Sequence, residues 1–545
     1  MRWLGRVRYR DAHALQRGLF TSSPDDHLLL LEHPPTYTLG VRADSAHVLV
    51  PPAEVGAELV RADRGGDVTY HGPGQLVGYP ILTVAGVGGG GMADTPAYVR
   101  SVEQLVVDAL ADLGVAADRL AGYPGVWVGA DTDAPRKICA IGVRLTRGRS
   151  MHGFALNVDP DLAMFDHIVP CGIADKAVTS LAAEGVPAGM REVVDVVAAR
   201  AAERWGAGGV DRQDVVWRSS PEDLAPFSRG EGPGQPVRPP RSRARLADAG
   251  VPVDESVELG ARKPAWVRAR FHITDDYLRL KATMRDLDLV TVCEEAGCPN
   301  IFECWADGTA TFLINGERCT RACGFCLVDT RKPMPPDPGE PARVAEAVDR
   351  MGLTYAVVTA VARDDLSDGG AAGFVATIAA IRARTPAVSV EVLIPDCKGD
   401  PDSLDAIFAA RPDVLNHNLE TVPRLQRAVR PSASYARSLA VLARAKAAGL
   451  RTKSSLIVGL GETVAEVEST LADLAGVGTD IVTVGQYLRP TTTHLPVARW
   501  WDPEEFARVK AAGEAMGIGH VEASPLTRSS YHARQAAGAV PVAIG

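Results

Sequence analysis

The stretch ATFLINGERCTRACGFC, residues 310–326, joins a short apolar run to three cysteines packed into eight positions. Cys319, Cys323 and Cys326 follow the predicted strand directly, with the spacing CxxxCxxC. Structural zinc sites usually close with four ligands, and this segment supplies three with no nearby histidine. Three thiolates on a four-iron cluster would leave one iron open to another ligand. The pattern therefore favours an iron–sulfur cluster, with zinc as the alternative.

Short apolar runs of this kind recur along the second half of the chain. They are ATFLI, YAVVTA, SVEVLIPD, DVLNHNLE, TKSSLIVGLG and DIVTVGQYL, and alanine-rich helical stretches separate them. A strand–helix unit repeated about six times predicts an α/β fold with a parallel sheet, curled into a full or partial barrel. Such barrels carry their chemistry at the carboxyl ends of the strands. Polar candidates there, with plain strand-to-loop turns as the alternative, are Asn416, His417, Asn418, Glu420, Lys453, Ser455 and Arg489.

A second cysteine triplet precedes the first. VCEEAGCPNIFECW, residues 292–305, contains Cys293, Cys298 and Cys304 with the spacing CxxxxCxxxxxC. Buried free cysteines are common in protein cores, but flanking Glu, Asn and Pro residues are not a core pattern. Six of the nine cysteines thus lie between residues 293 and 326, which indicates metal binding or catalysis and not a disulfide framework.

These motifs resemble known families. The CxxxCxxC spacing after a strand is similar to that of the radical S-adenosylmethionine superfamily. TVCEEAGCPNIFECWADGTATF, EVLIPD, NHNLETV, GLGET, GQYL and RSSYHA resemble lipoyl synthase over about residues 260–535. The resemblance implies a first [4Fe–4S] cluster on Cys319, Cys323 and Cys326, with S-adenosyl-L-methionine chelating the fourth iron. Its cleavage would give a radical that abstracts hydrogen from unactivated carbon, with an electron donor such as ferredoxin or flavodoxin.

The resemblance also implies an auxiliary [4Fe–4S] cluster that is sacrificed as the sulfur donor. Its ligands would be Cys293, Cys298, Cys304 and the Ser530 hydroxyl of the RSSY motif, with Ser529 as the alternative to Ser530. A hydroxyl is a poor ligand for a soft-metal cluster, so it should leave easily.

Two residues depart from the family pattern. Ala362 stands where an acidic residue is expected, and Cys397 stands where an aromatic residue is usual. Neither lies in a cysteine motif, and we interpret Cys397 as a packed thiol.

The first half of the chain shows a different pattern. The strand-like runs HLLLLEHPPTYTLG, DVTYHGPGQLVGYPILTV, PGVWVGA, KICAIGVRLTRG and SMHGFALNV include several with hairpin spacing and Gly-rich turns. Residues 95–114 predict a helix, with Thr95 as the cap, Pro96 in the first turn and Gly114 at the end. We predict an α+β domain with a mixed sheet.

The candidate nucleophile of this half is Cys171 in DHIVPCGI, although a lone cysteine is more often structural. A nucleophilic thiolate needs a stabilising neighbour, and Lys137 in RKICAIGVR and His71 in RGGDVTYHGPGQ are the candidates. The glycines near His71 would let backbone amides approach a ligand.

Together with EHPPTYTLG, HGFALNV and PCGI followed by AVTSL, these segments resemble octanoyl-[acyl-carrier-protein]:protein octanoyltransferase over roughly residues 3–205. The resemblance implies a fold like the lipoate and biotin protein ligases. It also implies an octanoyl thioester on Cys171, with Lys137 holding the thiolate and orienting the acyl carbonyl. An ATP-using lipoate ligase is the rival, but a ligase forms an adenylate and needs no catalytic cysteine. The implied acyl pocket is lined by Arg64, Gly65, Gly66, Asp67, Val68, Thr69, Tyr70, His71, Ala140, Ile141, Gly142, Gly153, Phe154 and Ala155.

A linker separates the two halves in this interpretation. Residues 219–250 are rich in Pro, Gly, Ser and Arg and show no apolar period, so we predict domains at 1–218 and 251–545.

Composition limits the function classes. Of the 545 residues 46% are apolar, and a net charge of −9 argues against a general nucleic-acid binder. The sequence contains no run near the roughly 20 apolar residues of a membrane span. The segment MRWLGRVRYRDAH has no apolar region after its arginines, so we expect no signal peptide and a cytoplasmic location.

The two resemblances imply a fusion of consecutive enzymes of lipoyl cofactor biosynthesis. The first half would move octanoyl from acyl carrier protein to a lysine of the lipoyl domains of 2-oxoacid dehydrogenases and of the glycine cleavage H protein. The second half would insert sulfur at C6 and C8 of that chain. The competing class is a scaffold protein, in which an iron–sulfur or zinc module is tethered to an inactive ligase-like domain.

Overall fold

A computed structural model describes residues 1–86, 94–173, 175–215, 239–268, 275–291, 300, 304 and 309–540. The chain divides into two units, Met1–Trp217 and Arg218–Gly545, which we call unit 1 and unit 2. Each unit has its own hydrophobic core.

A mixed sheet forms the centre of unit 1. The strands of unit 1 are β1 (Arg2–Arg6), β2 (His27–Glu32), β3 (Thr36–Leu39), β4 (Glu58–Arg61), β5 (Val68–His71), β6 (Gln75–Ile81), β7 (Ala117–Leu120), β8 (Tyr123–Val128), β9 (Arg136–Thr146), β10 (Arg149–Asn157), β11 (Ala177–Val178) and β12 (Gln213–Asp214). The large sheet has the order β12-β1-β2-β6-β10-β9-β8-β7 with β11 on β9, and a small sheet has the order β4-β3-β5. In the large sheet β1 runs parallel to β2 and β12, and β11 parallel to β9, while the other pairs are antiparallel. The predicted α+β fold with a mixed sheet is confirmed.

The helices of unit 1 are α1 (Tyr9–Ser22), α2 (Thr95–Asp112) and α3 (Met190–Trp205). Helix α2 buries Val102, Leu105 and Val106, which lie on one face because they are three or four residues apart. They pack in one core with Leu28 and Leu30, alternate residues that share a face of β2.

The predicted start of α2 is wrong by one residue. Asp94 is the cap, because its Oδ1 accepts the backbone N–H of Ala97 at 2.9 Å. Thr95 is already the first helical residue. A carboxylate is a strong cap and complements the positive end of the helix dipole.

Unit 2 is built on a second sheet, whose strands follow one another in chain order. They are β13 (Val290–Thr291), β14 (Thr309–Ile314), β15 (Tyr355–Ala360), β16 (Ser389–Leu393), β17 (Val414–Asn416), β18 (Thr452–Val458), β19 (Ile481–Gln486) and β20 (His520–Ser524). β14 to β20 are parallel, and β13 is antiparallel to β14. This is the predicted parallel sheet of a partial (β/α) barrel. β20 was not predicted, because its sequence HVEAS is largely polar.

Helices connect these strands and flank the sheet. The helices of unit 2 are α4 (Pro239–Asp248), α5 (Asp275–Asp286), α6 (Glu340–Arg350), α7 (Ala371–Arg384), α8 (Pro401–Ala409), α9 (Gln426–Val429), α10 (Tyr435–Ala447), α11 (Val464–Gly476), α12 (Pro503–Ala515) and α13 (Ala533–Ala539). Ala356 and Val358 of β15 pack in one core with Phe374 and Ile378 of α7. The opposite face of β15 packs against the last helix, where Ala533 and Ala537 of α13 form a cluster with Tyr355, Val357 and Val414.

A fully buried ion pair lies on that opposite face. Lys453 Nζ is 3.0 Å from one carboxylate oxygen of Glu391 and 3.2 Å from the other. The Tyr355 hydroxyl and the Asn416 side-chain amide also donate to Glu391, at 2.9 and 3.1 Å. Burial and the neighbouring Glu391 raise the pKa of Tyr355 strongly, so its hydroxyl stays a donor. Lys453 therefore compensates the charge of Glu391, and side chains from four neighbouring strands form the hydrogen bonds of this group.

The predicted linker is shorter than residues 219–250, because helix α4 occupies part of it. Leu246, Ala249 and Val251 are buried in unit 2, and the guanidinium of Arg424 donates to the Ala249 carbonyl. Gly250, at φ +77°, ends the helix. Because this segment is rich in Arg and Pro, its composition did not predict the short helix. The rest of the predicted linker, residues 219–238, lies outside the described residues.

In the part of the chain that the structure describes, no helix is both long enough and apolar enough to span a bilayer.

The buried ion pair generates a stability prediction. Replacing Lys453 with Met leaves the Glu391 carboxylate buried and uncompensated, which should lower the free energy of unfolding of unit 2 by about 3–5 kcal/mol. The measurement is the shift of the urea transition of the full-length protein.

Two matched variants test the cause. Adding Glu391→Gln to Lys453→Met removes the stranded charge and should recover much of the loss. Arg508→Met breaks an ion pair with Glu468 at the surface, where solvent screens the charges, and should leave the urea transition almost unchanged. If Lys453→Met were as mild as Arg508→Met, the charge compensation described above would be wrong.

Candidate active sites

The CxxxCxxC loop begins five residues after β14 ends, at the carboxyl edge of the parallel sheet. Cys319, Cys323 and Cys326 are partly buried free thiols. Burial raises the pKa of all three, to about 11 for Cys323. Neutral thiols would leave this pocket without charge, whereas a coordinated metal deprotonates a thiol outright. The donor set therefore fits a soft metal centre.

The Arg321 side chain fixes the loop between two of these cysteines. Its guanidinium binds Asp364 through two hydrogen bonds of 2.7 and 2.8 Å and Asp396 through one of 2.6 Å. Burial alone would raise the pKa of Asp396, but Arg321 and Arg437 hold it far below its usual range. Because the two aspartates follow β15 and β16, the ion pairs attach the cysteine loop to two neighbouring strand ends.

Ala362 contributes to the same loop through its backbone. Its N–H donates to Cys319 Sγ at 3.3 Å, and its carbonyl accepts from the Thr320 hydroxyl at 2.9 Å. The side chain at this position takes no part in either bond, so the departure from the family pattern leaves the loop intact. Cys397 is buried in the hydrophobic core of unit 2, as expected for a packed thiol.

The polar residues predicted at the strand ends divide into two groups. His417 is structural, since its two ring nitrogens lie 2.9 Å from the Ile394 carbonyl and 3.0 Å from the Ser438 hydroxyl. Burial and the nearby Arg430 lower its pKa to about 4, so it is neutral. Lys453 is committed to Glu391, as described above.

The other group retains unused hydrogen-bonding capacity. The side-chain oxygens of Asn416 and Asn418 are buried and have no partner among the described residues. Glu420 lies in the same strand-end segment, and burial raises the pKa of its carboxyl. Arg430 acts electrostatically on both Glu420 and Cys323. Buried orphan acceptors at the end of a strand fit a polar ligand such as the amino group of S-adenosylmethionine.

The second cysteine triplet is described only in part. Cys293 and Cys298 lie outside the described residues, whereas Cys304 is half-buried. The Cys304 N–H donates to the Asn300 carbonyl at 3.0 Å, and the Asn300 side-chain amide donates to the Leu526 carbonyl at 2.6 Å. This bond ties the segment of Cys304 to the loop that carries the RSSY motif. Ser529 and Ser530 are both half-buried there.

A cavity of about 350 Å³ lies in unit 1 and contains most of the predicted acyl-pocket residues. Twelve of the fourteen line it. Val68 and Tyr70 do not, because alternate residues of a strand face opposite sides and these two pack with Tyr37 and Phe165. Lining residues that the sequence analysis missed are Tyr9, Arg42, Val77, Tyr79, Pro124, His152 and Ile173. Tyr79 and His152 fall inside quoted motifs, whereas nothing in the sequence marked Tyr9.

Glycines open this cavity in the face of the sheet. Gly142 of β9 and Gly153 of β10 lie opposite each other in register. A Cβ on Gly153 would lie 2.1 Å from the Gly78 carbonyl oxygen, and one on Gly142 would lie 3.2 Å from Arg64 Cδ. Together with apolar walls such as Val77, the glycines make room for a narrow ligand.

Cys171 lines the same cavity, and so do the cationic residues Arg42, Arg64 and Lys137. Cys171 has φ +56°, a left-handed conformation that is rare for cysteine. Lys137 Nζ lies 4.7 Å from the centre of the Trp127 ring. Burial lowers the pKa of Arg64, while Tyr9 and Cys171 act to raise it, so the Arg64 guanidinium and the Cys171 sulfur interact electrostatically. Arg64 is therefore a thiolate-stabilising candidate that the sequence analysis placed only in the pocket lining.

His71 does not suit that role. Its Nδ1 hydrogen-bonds the Gln75 side-chain oxygen at 2.8 Å. Burial, His33 and Arg64 hold the pKa of His71 well below its usual value, so the ring is neutral. This setting favours Lys137 over His71 as the cation beside Cys171.

Comparisons with known proteins give family matches in both units. The family model "Lipoyl protein ligase A/B catalytic domain" matches residues 8–202, and "Radical SAM superfamily" matches 314–474. The model "N-terminal domain of lipoyl synthase of Radical_SAM family" matches 244–298, starting inside helix α4. Lipoyl synthase of Mycobacterium avium is 53% identical over 301 residues, which cover 54% of this chain and 96% of that protein. The chain belongs to the lipoyl synthase family.

Lipoyl synthase of Rubrobacter xylanophilus is 56% identical over 275 residues, covering 50% of this chain and 86% of that protein. A solved structure described as a putative lipoate protein ligase, Ta0514 from Thermoplasma acidophilum with bound lipoic acid, is 19% identical. It covers 41% of this chain and 92% of that chain, with a TM-score of 0.33.

The predicted fusion of a ligase-type catalytic domain with a lipoyl synthase is confirmed. The cofactors of a chain of this family are S-adenosylmethionine and two [4Fe–4S] clusters. Family membership favours an iron–sulfur enzyme of lipoyl biosynthesis over the zinc or scaffold alternatives.

The ion pairs of Arg321 generate a prediction for the first cluster. Arg321→Met removes the group that attaches the cysteine loop to Asp364 and Asp396, and it leaves Asp364 buried without its cation and Asp396 with Arg437 alone. We expect iron bound after anaerobic reconstitution to fall by up to one four-iron cluster per chain. The measurement is iron and acid-labile sulfide per chain.

Arg331→Met is the matched control, because Arg331 pairs with Asp329 near the same loop but is exposed. It should retain the iron content of the natural protein. Full iron content in Arg321→Met would show that the loop needs no such attachment.

Proposed function

We propose that the chain carries out two consecutive steps of lipoyl biosynthesis. Unit 1 transfers an octanoyl group from acyl carrier protein to Cys171 and then to a lysine of a lipoyl domain. Unit 2 inserts sulfur at C6 and C8 of that octanoyl chain. The observation that carries the proposal is the coexistence in one chain of a cavity lined by Cys171 and three cationic residues and a strand-end loop of three cysteines. The product of the first step is the substrate of the second.

In unit 1 we assign the nucleophile to Cys171. Arg64 and Lys137 hold the negative charge of its thiolate, and Lys137 orients the acyl carbonyl. The groove at Gly142 and Gly153 takes the acyl chain, and the apolar walls exclude water from the thioester. Cys171 gives this half an acyl-transfer route without ATP, which separates it from an ATP-using lipoate ligase.

In unit 2 we assign Cys319, Cys323 and Cys326 to the cluster that binds S-adenosylmethionine. Cys293, Cys298, Cys304 and Ser530 are assigned to the auxiliary cluster, with Ser529 as the alternative to Ser530. When bound, the cofactors supply a radical that removes hydrogen from unactivated carbon, and the sulfur that replaces it. Arg321 fixes the first loop, Asn416, Asn418 and Glu420 orient polar groups of the bound cofactor, and Asn300 holds the Cys304 segment near the RSSY loop.

The remaining proposals concern partners and organisation. We propose lipoyl domains of 2-oxoacid dehydrogenases and the glycine cleavage H protein as acceptors, acyl carrier protein as donor, and ferredoxin or flavodoxin as reductant, in the cytoplasm. The two catalytic units correspond to the predicted domains 1–218 and 251–545, with the second extended to include helix α4.

The first test concerns Cys171. Incubating the protein with octanoyl-acyl carrier protein and quenching in acid should give an octanoyl thioester on Cys171, located by peptide mass spectrometry. Cys171→Ala should lose transfer to a lipoyl domain, because no other thiol replaces the nucleophile. Cys139→Ala, which removes a buried thiol of the same unit, should keep it. An adduct elsewhere, or ATP-dependent transfer by Cys171→Ala, would contradict the assignment.

The second test separates the two cysteine triplets. Cys304→Ala should still cleave S-adenosylmethionine to 5′-deoxyadenosine, because the first triplet is intact, yet add no sulfur to an octanoylated domain. Cys323→Ala should lose both activities. The measurements are 5′-deoxyadenosine, thiolated product and iron per chain for each variant.

Cys397→Ala, at a packed thiol outside both motifs, is the control and should keep both products. A Cys304→Ala protein that makes lipoyl product, or a Cys323→Ala protein that makes 5′-deoxyadenosine, would refute the division of labour.

A further inference from the structure

A segment that follows β19 packs against the CxxxCxxC loop of unit 2. It covers residues 487–495 and has the sequence YLRPTTTHL. The Leu495 N–H donates to the Gly324 carbonyl at 2.9 Å, and the Gly324 N–H donates to the Val429 carbonyl at 2.9 Å. Both bonds are made by the residue that lies two positions before Cys326. The middle of the cysteine loop is therefore attached to two other parts of the chain.

The 487–495 segment approaches the loop closely because residue 324 has no side chain. A Cβ on Gly324 would lie 2.7 Å from Cγ and Cδ1 of Leu495, which is fully buried. The Leu495 carbonyl accepts the Tyr487 hydroxyl at 2.9 Å, so the two ends of the segment are joined. The backbone bonds and this packing fix the position of the segment relative to the cysteine loop.

His494 brings a side chain to the third cysteine of the loop. Its Nε2 lies 2.9 Å from the Cys326 carbonyl oxygen, and its Nδ1 lies 2.7 Å from the Thr491 hydroxyl. A carbonyl oxygen only accepts hydrogen bonds, so Nε2 carries a proton and donates it to Cys326. The Thr491 hydroxyl donates to the lone pair of Nδ1, which fixes the tautomer and the orientation of the ring.

The Arg489 side chain holds the turn that presents His494. Its Nε donates to the His494 carbonyl at 3.0 Å, and its Nη2 donates to the Thr492 carbonyl at 2.6 Å. Arg489 is one of the polar residues predicted at the strand ends, and it lies three residues after β19. These two bonds assign it to the support of this turn.

The two ends of the cysteine loop are fixed by different groups. Cys319 Sγ accepts the Arg321 N–H at 3.4 Å, and the ion pairs of Arg321 attach this end to two strand ends. At the other end, Leu327 follows the last cysteine and is 40% exposed. The hydrogen bond from His494 supplies a side-chain attachment at the Cys326 end of the loop.

We propose that His494 is a positioning residue for the iron–sulfur cluster of this loop and that it acts through the Cys326 backbone. By fixing the Cys326 carbonyl, it keeps the Cys326 thiolate where it meets the other two ligands. A group that orients a metal ligand in this way usually contributes about 10–100-fold to metal affinity or activity. The inference rests on the function proposed for unit 2, in which Cys319, Cys323 and Cys326 hold the first cluster.

The test compares variants of the full-length protein in the Cys304→Ala background, where the first triplet alone keeps all its cysteines. His494→Ala should retain less iron against a competing chelator and should slow S-adenosylmethionine cleavage by about 10–100-fold. His494→Gln should keep most of both, because its amide N–H can donate to the same carbonyl. His520→Ala is the control and should match the background, since His520 lies at the amino end of β20, the opposite edge of the sheet.

Thr491→Val covers the case in which His494→Ala fails to fold. It removes the hydroxyl that orients the His494 ring but keeps the shape of the side chain, so its losses should be intermediate. Background values in His494→Ala, or in Thr491→Val if His494→Ala does not fold, would overturn the proposal, and so would a His494→Gln as impaired as His494→Ala. Retention of the full cluster by Cys323→Ala would instead refute the function proposed for unit 2.

Discussion

The parallel, chain-ordered sheet of unit 2 is the constraint on which its chemistry depends. Since β14 to β20 all point the same way, the residues that follow each strand emerge at one edge. Cys319, Asp364, Asp396 and Glu420 follow four successive strands and therefore meet there, although they are spread over about a hundred positions. The Arg321 guanidinium joins three of these segments through charge-assisted hydrogen bonds. The fold thus places residues from distant parts of the sequence at one ligand-binding edge of the sheet.

Unit 1 also brings distant residues together in one site, but without a parallel sheet. A mostly antiparallel sheet sends its strand ends to opposite edges, so its cavity lies on a face of the sheet and not at an edge. Facing glycines of β9 and β10 remove the side chains that would otherwise fill this space. The cavity then receives one sulfur and three positive charges, from Cys171 and from Arg42, Arg64 and Lys137.

The sequence predicted those features that depend on local pattern. Runs of Val, Ile and Leu located most strands, and motif spacing located the cysteines. Features that depend on tertiary context were missed or misplaced: β20 is too polar to be recognised, and α4 lies within a proline- and arginine-rich segment. Val68 and Tyr70 were assigned to the pocket because a motif does not show which side chains share a face. In a strand, successive side chains point to opposite faces. The hydrogen bond of His494 to Cys326 joins residues 168 positions apart, and only the folded chain brings them together.

Helix α13 has a consequence for the inside of unit 2. It contacts Tyr355, Val414 and Ile481, the first residues of β15, β17 and β19, and so covers the amino ends of the strands. The RSSY motif immediately precedes this helix, so Ser529 and Ser530 are joined directly to the element that closes the amino ends of the strands. The packing of a few alanines against the strand starts therefore also fixes the place from which the RSSY segment leaves the barrel.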